Sequence, residues 1–240
     1  MWHFWLFFLA LLAVVIVLMY CCLVRAEKMD DMHYVLVWWF NEKIRPLLKG
    51  YADIVVYADD FVCCFQYKND AELFYEHLKR RMNHFGLSLE ESKTRLIYFG
   101  RFAADNLKRQ GNKPETFDFL GFTHYCSKSR NGNFRVKHKT ANKKYRKKCK
   151  QMNITIRDMR FEKKKYILAK VNQILIGYYH YYGISDNYQM MDNFRKRVIQ
   201  ILYFWMNRRS QRKSYTWDGF NQFLKEHPIV RPRIYVSLYG

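Results

Sequence analysis

Ala52-Asp53-Ile54-Val55-Val56-Tyr57-Ala58-Asp59-Asp60-Phe61-Val62-Cys63-Cys64-Phe65 is the stretch on which the reading of this chain turns. Both flanks of the Tyr57-Ala58-Asp59-Asp60 tetrad are rich in β-branched and aromatic residues and free of Gly and Pro. They predict a β-hairpin with two adjacent acids at its tip. Ionised carboxylates in so apolar a run need their charge compensated. Divalent metal is an economical compensator, because Mg²⁺ takes carboxylate oxygens and keeps water or substrate phosphate as its other ligands. Two such ions clamp the attacking and leaving oxygens of an in-line phosphoryl transfer. An ordinary hairpin that uses Asp because Asp tolerates turn geometry accounts for the same four residues. A motif this short needs its surroundings to decide.

Charge supplies the next clue. Of the 240 residues, 1–125 hold 15 Lys or Arg against 15 Asp or Glu, and 126–240 hold 27 against 6. The whole formal excess of +21 therefore lies in the second half. Such a surplus repels itself unless a polyanion is the usual partner. Cys21, Cys22, Cys63, Cys64, Cys126 and Cys149 form no Cys-x-x-Cys pair, so they read as reduced thiols of an intracellular protein and offer no zinc site.

Along the chain, Trp2–Val24 is apolar or aromatic apart from His3 and long enough to span a bilayer. It lacks the basic start and cleavage site of a secretory signal. Arg25 and Lys28 follow it, which puts the C-terminal side in the cytoplasm if it is an anchor. A genuine single-span helix and a reading frame joined to foreign sequence both stay open. Asp30 and Asp31 open a predicted helix through Val35, Trp38, Trp39 and Leu47, shortened by Pro46 and closed by Gly50. Asn69-Asp70-Ala71-Glu72 reads as a capping box for a helix with Ala71, Phe74, Leu78, Met82 and Phe85 on one face and Gly86 as its stop. Short strands are expected at 87–89, 95–99 and 117–122, with a polar loop at 101–115 and a hairpin around Asn131-Gly132. Lys139–Lys150 is densely basic. Three helices follow: one with Ile167, Val171, Ile174, Tyr178 and Tyr182 on a stripe, one through Met191, Phe194, Val198, Ile201, Leu202 and Trp205, and Trp217–Glu226 before Pro228.

Four further elements stand in order: Phe85-Gly86-Leu87 leading to Leu89-Glu90-Glu91-Ser92-Lys93-Thr94, Phe117-Asp118-Phe119-Leu120-Gly121-Phe122, Gly177-Tyr178-Tyr179-His180-Tyr181-Tyr182-Gly183, and Arg208-Arg209-Ser210-Gln211-Arg212-Lys213. With the acidic hairpin, this set resembles the reverse transcriptase/maturase proteins encoded by bacterial group II introns, from about Met32 onward. The resemblance implies an α+β fold, an incomplete polymerase palm followed by a small basic helical thumb/maturase domain. The expected parts are an apolar helix at 1–28, a partial palm at 29–125, a connecting hairpin at 126–138 and the thumb/maturase helices at 139–240. It implies that Asp59 and Asp60 hold catalytic Mg²⁺ in a two-metal site, with Tyr57 and Ala58 under the primer end. Lys93 takes the place of a general acid toward the pyrophosphate leaving group; an ordinary surface or phosphate-binding lysine fits there equally. Phe119-Leu120-Gly121 matches the primer-grip turn, where Gly lets backbone approach nucleic acid.

The same resemblance implies a partner RNA, the group II intron, with DNA primer and deoxynucleotides for RNA-templated DNA synthesis, and a homodimer among the assemblies to test. Lys143, Lys144, Arg146, Lys147, Lys148 and Lys150 are candidates to track its phosphates, as are Arg208, Arg209, Arg212 and Lys213. Tyr178, Tyr179, Tyr181 and Tyr182 are interleaved aromatics, with Tyr178 and Tyr182 read as helix core. A two-metal polymerase needs a further Asp on a strand upstream of the hairpin. Asp30 and Asp31 sit at a helix start and Asp53 on the hairpin itself, so none is assigned that role. The expectation is an N-terminally truncated enzyme without polymerase activity alone. The alternative is a non-catalytic RNA-binding splicing cofactor, and a third reading is a membrane protein that has recruited an RNA-binding domain. The compartment implied is the cytoplasm, or the membrane through contact by residues 2–24.

Overall fold

The computed structural model describes residues 33–58, 60–87, 89–209 and 214–238. The apolar segment at 2–24, with Asp30, Asp31, Asp59, Arg212 and Lys213, lies outside the described residues, so the expected N-terminal helix has no structural support. Among the described residues no helix is long and apolar enough to cross a membrane. The chain divides into two compact units, Met1–Ile97 and Tyr98–Gly240.

In the first unit, His33–Trp38 and Phe40–Ile44 wind as π-helix and Arg45–Leu47 as a 3₁₀ turn. The buried residues are Val35, Leu36, Trp39, Phe40 and Ile44, four or five apart along each row, as the wider π turn demands. Leu47, expected on the buried stripe, is exposed. Pro46 sits in the 3₁₀ turn, where a missing N–H costs little. Gly50 is not the helix stop; it admits the Tyr67 ring, which would lie 2.6 Å from a Cβ there.

Strands β1 (Ala52–Tyr57) and β2 (Asp60–Phe65) pair antiparallel, from Ala52 opposite Phe65 to Tyr57 opposite Asp60. Alternation sends Ala52, Ile54, Val56, Phe61, Cys63 and Phe65 to one face, where they meet the π-helical core. Helix α1 (Lys68–His84) completes that core with Phe74, Leu78 and Met82, four residues apart. Phe74 packs edge-on to Phe40 at 5.5 Å and against Phe65 at 5.2 Å. Each such side chain contributes about 1.5–3 kcal/mol on burial.

The expected capping box is not formed. Tyr67 is the N-cap, with no side-chain cap bond, and Asn69 lies inside the helix. Asp70 is 5% exposed, and its carboxylate accepts the backbone N–H of Gly50 at 2.9 Å and of Lys49 at 3.3 Å. Two long-range orphan donors outcompete the local cap. At the other end Gly86 (φ +65°) does stop the helix: its N–H reaches Asn83 and that of Leu87 reaches Met82, a Schellman closure.

The strands expected at 87–89 and 95–99 do not form. Glu90 gathers the chain into a turn instead, its carbonyl accepting the N–H groups of Lys93 and Thr94, both at 2.9 Å.

In the second unit the expected polar loop begins as helix α2 (Arg101–Arg109). Its core contribution is Ala103, 1% exposed, too thin a stripe to read from the sequence. The expected strand at 117–122 is two strands, β3 (Phe117–Phe119) and β4 (Phe122–Lys128). Between them Leu120 (φ +49°) and Gly121 (φ +80°) make a two-residue turn with both φ positive, the geometry that matches strand twist. Leu120 bears about 1–2 kcal/mol of strain there; Gly121 bears none. Strand β5 (Phe134–Thr140) returns along β4 through the expected Asn131-Gly132 turn, giving the antiparallel order β3-β4-β5.

Four helices follow rather than three: α3 (Asn142–Asp158), α4 (Lys164–Tyr182), α5 (Tyr188–Met206) and α6 (Trp217–Glu226). The basic tract is itself helical. Tyr145, Cys149, Met152 and Ile156 recur at three and four residues and pack on the core formed by Val171, Leu175, Phe194, Val198 and Leu202. Residues 228–238 run extended over this core. Asn172 holds that segment at Pro228 and Val230, and Gly183 accepts the N–H groups of Tyr235 and Val236.

Candidate active site and nucleic-acid face

The hairpin ladder ends on the pair Tyr57 and Asp60, and just beyond it Ala58 sits at φ +54°. For an alanine that left-handed conformation costs about 1–2 kcal/mol. Asp60 is therefore not at the tip but opens β2 beside Tyr57. It shares the hairpin's outer face with Tyr57 and Val55, which are 63% and 56% exposed. Asp60 is exposed and, among the described residues, has no ion-pair or hydrogen-bond partner, so both carboxylate oxygens are free for a hard cation. A carboxylate such as that of Asp60 is donor chemistry that fits Mg²⁺. Bound there, the metal would neutralise charge building on transferring phosphoryl oxygens. Among the described residues no three His, Cys, Asp or Glu side chains converge. Asp53 lies on the same face, four residues along β1 from Tyr57, about 13 Å away at strand rise. Its carboxylate accepts the N–H of Ile54 at 2.9 Å. Burial pushes the Cys63 thiol well up, with Cys64 and Asp53 adding to the shift, so it stays protonated and un-nucleophilic.

Lys93 stands in the Glu90 turn, its side chain 80% exposed and its ammonium 3.3 Å from the Glu90 carboxylate. Hydrogen bonds from Ser92 and Lys93 hold that carboxyl below its usual range. An ion pair this exposed is weak and holds the lysine only loosely.

The Phe119-Leu120-Gly121 turn is pinned in the second unit. The Tyr181 hydroxyl donates to the Leu120 carbonyl at 3.0 Å, and the Ala141 N–H donates to the Gly121 carbonyl at 2.9 Å. Phe122 stacks on Tyr181 and meets Tyr182 edge-on. A Cβ at Gly121 would press the Tyr182 hydroxyl at 3.2 Å. Behind the turn Asn187, fully buried, joins β5 to the α4–α5 connection. Its Oδ1 accepts the Thr140 N–H at 2.7 Å, and its Nδ2 donates to the Tyr182 carbonyl at 2.8 Å and to the Thr140 hydroxyl at 2.9 Å. Sequence reasoning missed this residue. An Asn before a helix signals an N-cap, yet this one makes no cap bond.

On α3, Lys144, Lys147 and Lys148 follow one flank that faces α4 across a cleft, while Lys143, Arg146 and Lys150 are exposed away from its lining. Tyr178 and Tyr182 pack with the core as expected, Tyr179 is also buried, and Tyr181 is exposed. Arg208 lies over the Phe204 ring at 4.0 Å. Arg209 donates to the carbonyls of Phe161 and Glu162, tying down the α3–α4 connection.

Residues 36–124 match the family model for reverse transcriptase (RNA-dependent DNA polymerase). That segment is therefore similar to the RNA-dependent DNA polymerase domain of reverse transcriptases. No match was found among curated proteins.

Proposed function

We propose that the protein is a group II intron reverse transcriptase/maturase. Residues 29–125 form the palm portion, 126–138 a connecting hairpin, and 139–240 the thumb/maturase region that grips intron RNA. Asp59 and Asp60 serve as metal ligands, Lys93 as proton donor toward the leaving group, and Phe119-Leu120-Gly121 as primer grip. The observation that carries the reading is that the whole net charge of +21 falls in residues 126–240, the part of the chain that contains a helical bundle with a core of its own. A basic exterior on an apolar bundle binds phosphate backbones without having to unfold.

The test combines three measurements. Purified protein is titrated with a group II intron RNA and with an unrelated structured RNA of equal length. Splicing of the intron is followed at limiting Mg²⁺, and primer extension on an RNA template is measured for wild type, Asp59→Ala and Asp60→Ala. Preferential intron binding that falls steeply with salt, with faster splicing, is the expected result. Equal binding of both RNAs with no effect on splicing refutes the maturase role. Intron binding and splicing without DNA synthesis selects the non-catalytic cofactor instead.

A further inference from the structure

A cleft of about 540 Å³ opens between α3 and α4. Lys144, Lys147 and Lys148 line one side, Lys170 adds a fourth ammonium, and Gln151 and Gln173 face into the same space. Ile174, Gly177, Tyr178, Tyr181 and Tyr182 complete the lining.

Gly177 is the unusual member. It lies inside α4, where glycine destabilises a helix relative to alanine. Nothing stands within 4 Å of where its Cβ would be. Neither packing nor backbone conformation calls for glycine here: the position has ordinary helical backbone and open space above it. What the missing side chain does provide is depth in the cleft. At the rim Tyr181 is 57% exposed, yet its ring is fixed by stacking on Phe122 and by its bond to the Leu120 carbonyl. A fixed, exposed aromatic is a platform with little conformational entropy left to lose on binding.

The lysines set the scale of the occupant. Side chains three and four apart on a helix stand about 5–6 Å from one another, close to the spacing of successive phosphates in an extended strand. A volume of about 540 Å³ is on the scale of a small-molecule pocket, and so of a single nucleotide. Gln151 offers an amide donor and acceptor, and Gln173, whose Oε1 accepts from the Lys170 ammonium at 3.1 Å, adds an amide donor, the chemistry that reads the exposed edge of an unpaired base.

We infer that the α3–α4 cleft takes one unpaired nucleotide of single-stranded RNA, with its base against Tyr181 over Gly177 and its flanking phosphates on Lys144, Lys147, Lys148 and Lys170. The inference rests on the RNA-binding role proposed above and adds the form of RNA bound there.

Wild type and Gly177→Leu are compared by fluorescence anisotropy with an oligouridylate of about ten nucleotides, near the site sizes of single-strand binders, and with an RNA duplex of equal length. Leucine favours helix over glycine and its Cβ meets open space, and circular dichroism checks that the variant is folded. Single-strand affinity is expected to fall about tenfold or more, the loss of one stacked base, with duplex affinity unchanged. Tyr181→Ala should lose single-strand affinity in the same direction. Wild-type single-strand affinity in folded Gly177→Leu overturns the cleft assignment alone. An equal loss for both ligands also overturns it, because filling the cleft would then act through the general basic surface. Failure of the wild type to bind either RNA overturns both this inference and the RNA-binding role.

Discussion

Replacing Asn187 by alanine removes the polar junction between β5 and the α4–α5 connection. The side chain is fully buried and serves the Thr140 N–H, the Thr140 hydroxyl and the Tyr182 carbonyl. Alanine leaves the N–H of Thr140 and the carbonyl of Tyr182 without their side-chain partner, and the methyl group is too small to shut out the cavity. The Tyr182 carbonyl keeps the Ile184 N–H at 2.9 Å, so one buried group, the Thr140 N–H, is left unpaired, at a cost of about 1–3 kcal/mol. That is a large share of the roughly 5–15 kcal/mol by which domains are stable. Chemical denaturation followed by circular dichroism measures it. Thr140→Val is the control: it keeps the backbone N–H and its acceptor, losing only the hydroxyl, and should cost about 1–2 kcal/mol. A loss below about 1 kcal/mol for Asn187→Ala would refute the claim that this amide clamps sheet to bundle.

Other outcomes follow from the same structure. Asp70→Ala orphans the N–H groups of Lys49 and Gly50 and should destabilise the first unit by about 1–3 kcal/mol, read as a lower denaturation midpoint. Gly183→Ala would place a Cβ against the Tyr179 carbonyl oxygen and 2.7 Å from that of Arg233. It should cost about 1–3 kcal/mol and free the 228–238 segment to limited proteolysis. His124 and His138 face one another across β4 and β5, and burial lowers the pKa of both, aided at His124 by His138. The unfolded chain then binds more protons than the folded one as pH falls through the ordinary histidine value of 6.5, so stability drops with acidification and levels off below the folded pKa values. Melting temperatures at pH 7.5 and 5 test this, and a His138→Phe variant should show a shallower dependence.

Much of the candidate site was legible because its signals are local. The β-branched flanks of Tyr57-Ala58-Asp59-Asp60 specify a hairpin through a period of two, and Phe74, Leu78 and Met82 specify α1 through their spacing. Gly86, Pro46 and Asn131-Gly132 mark chain reversals through backbone sterics that hold in any context. Where polar chemistry overrode those signals the reading failed. The Arg101–Arg109 helix is short, with four charged residues among its nine, and the lysines of α3 masked its Tyr145-Cys149-Met152-Ile156 stripe.

By itself the sequence determined the acidic hairpin, the helix that ends at Gly86, the apolar stripes of α4 and α5 and that the second half is a cation, since each depends on neighbours a few residues apart. Only the tertiary structure decided that Asp70 and Asn187 spend their side chains on backbone 20 and 47 residues away, and that Tyr181 props the Leu120–Gly121 turn. It also decided that Gly177 opens a cleft instead of a hinge. A polar side chain satisfies whichever buried partner the packed core brings to it, and that partner is fixed by the long-range fold rather than by adjacency in the chain.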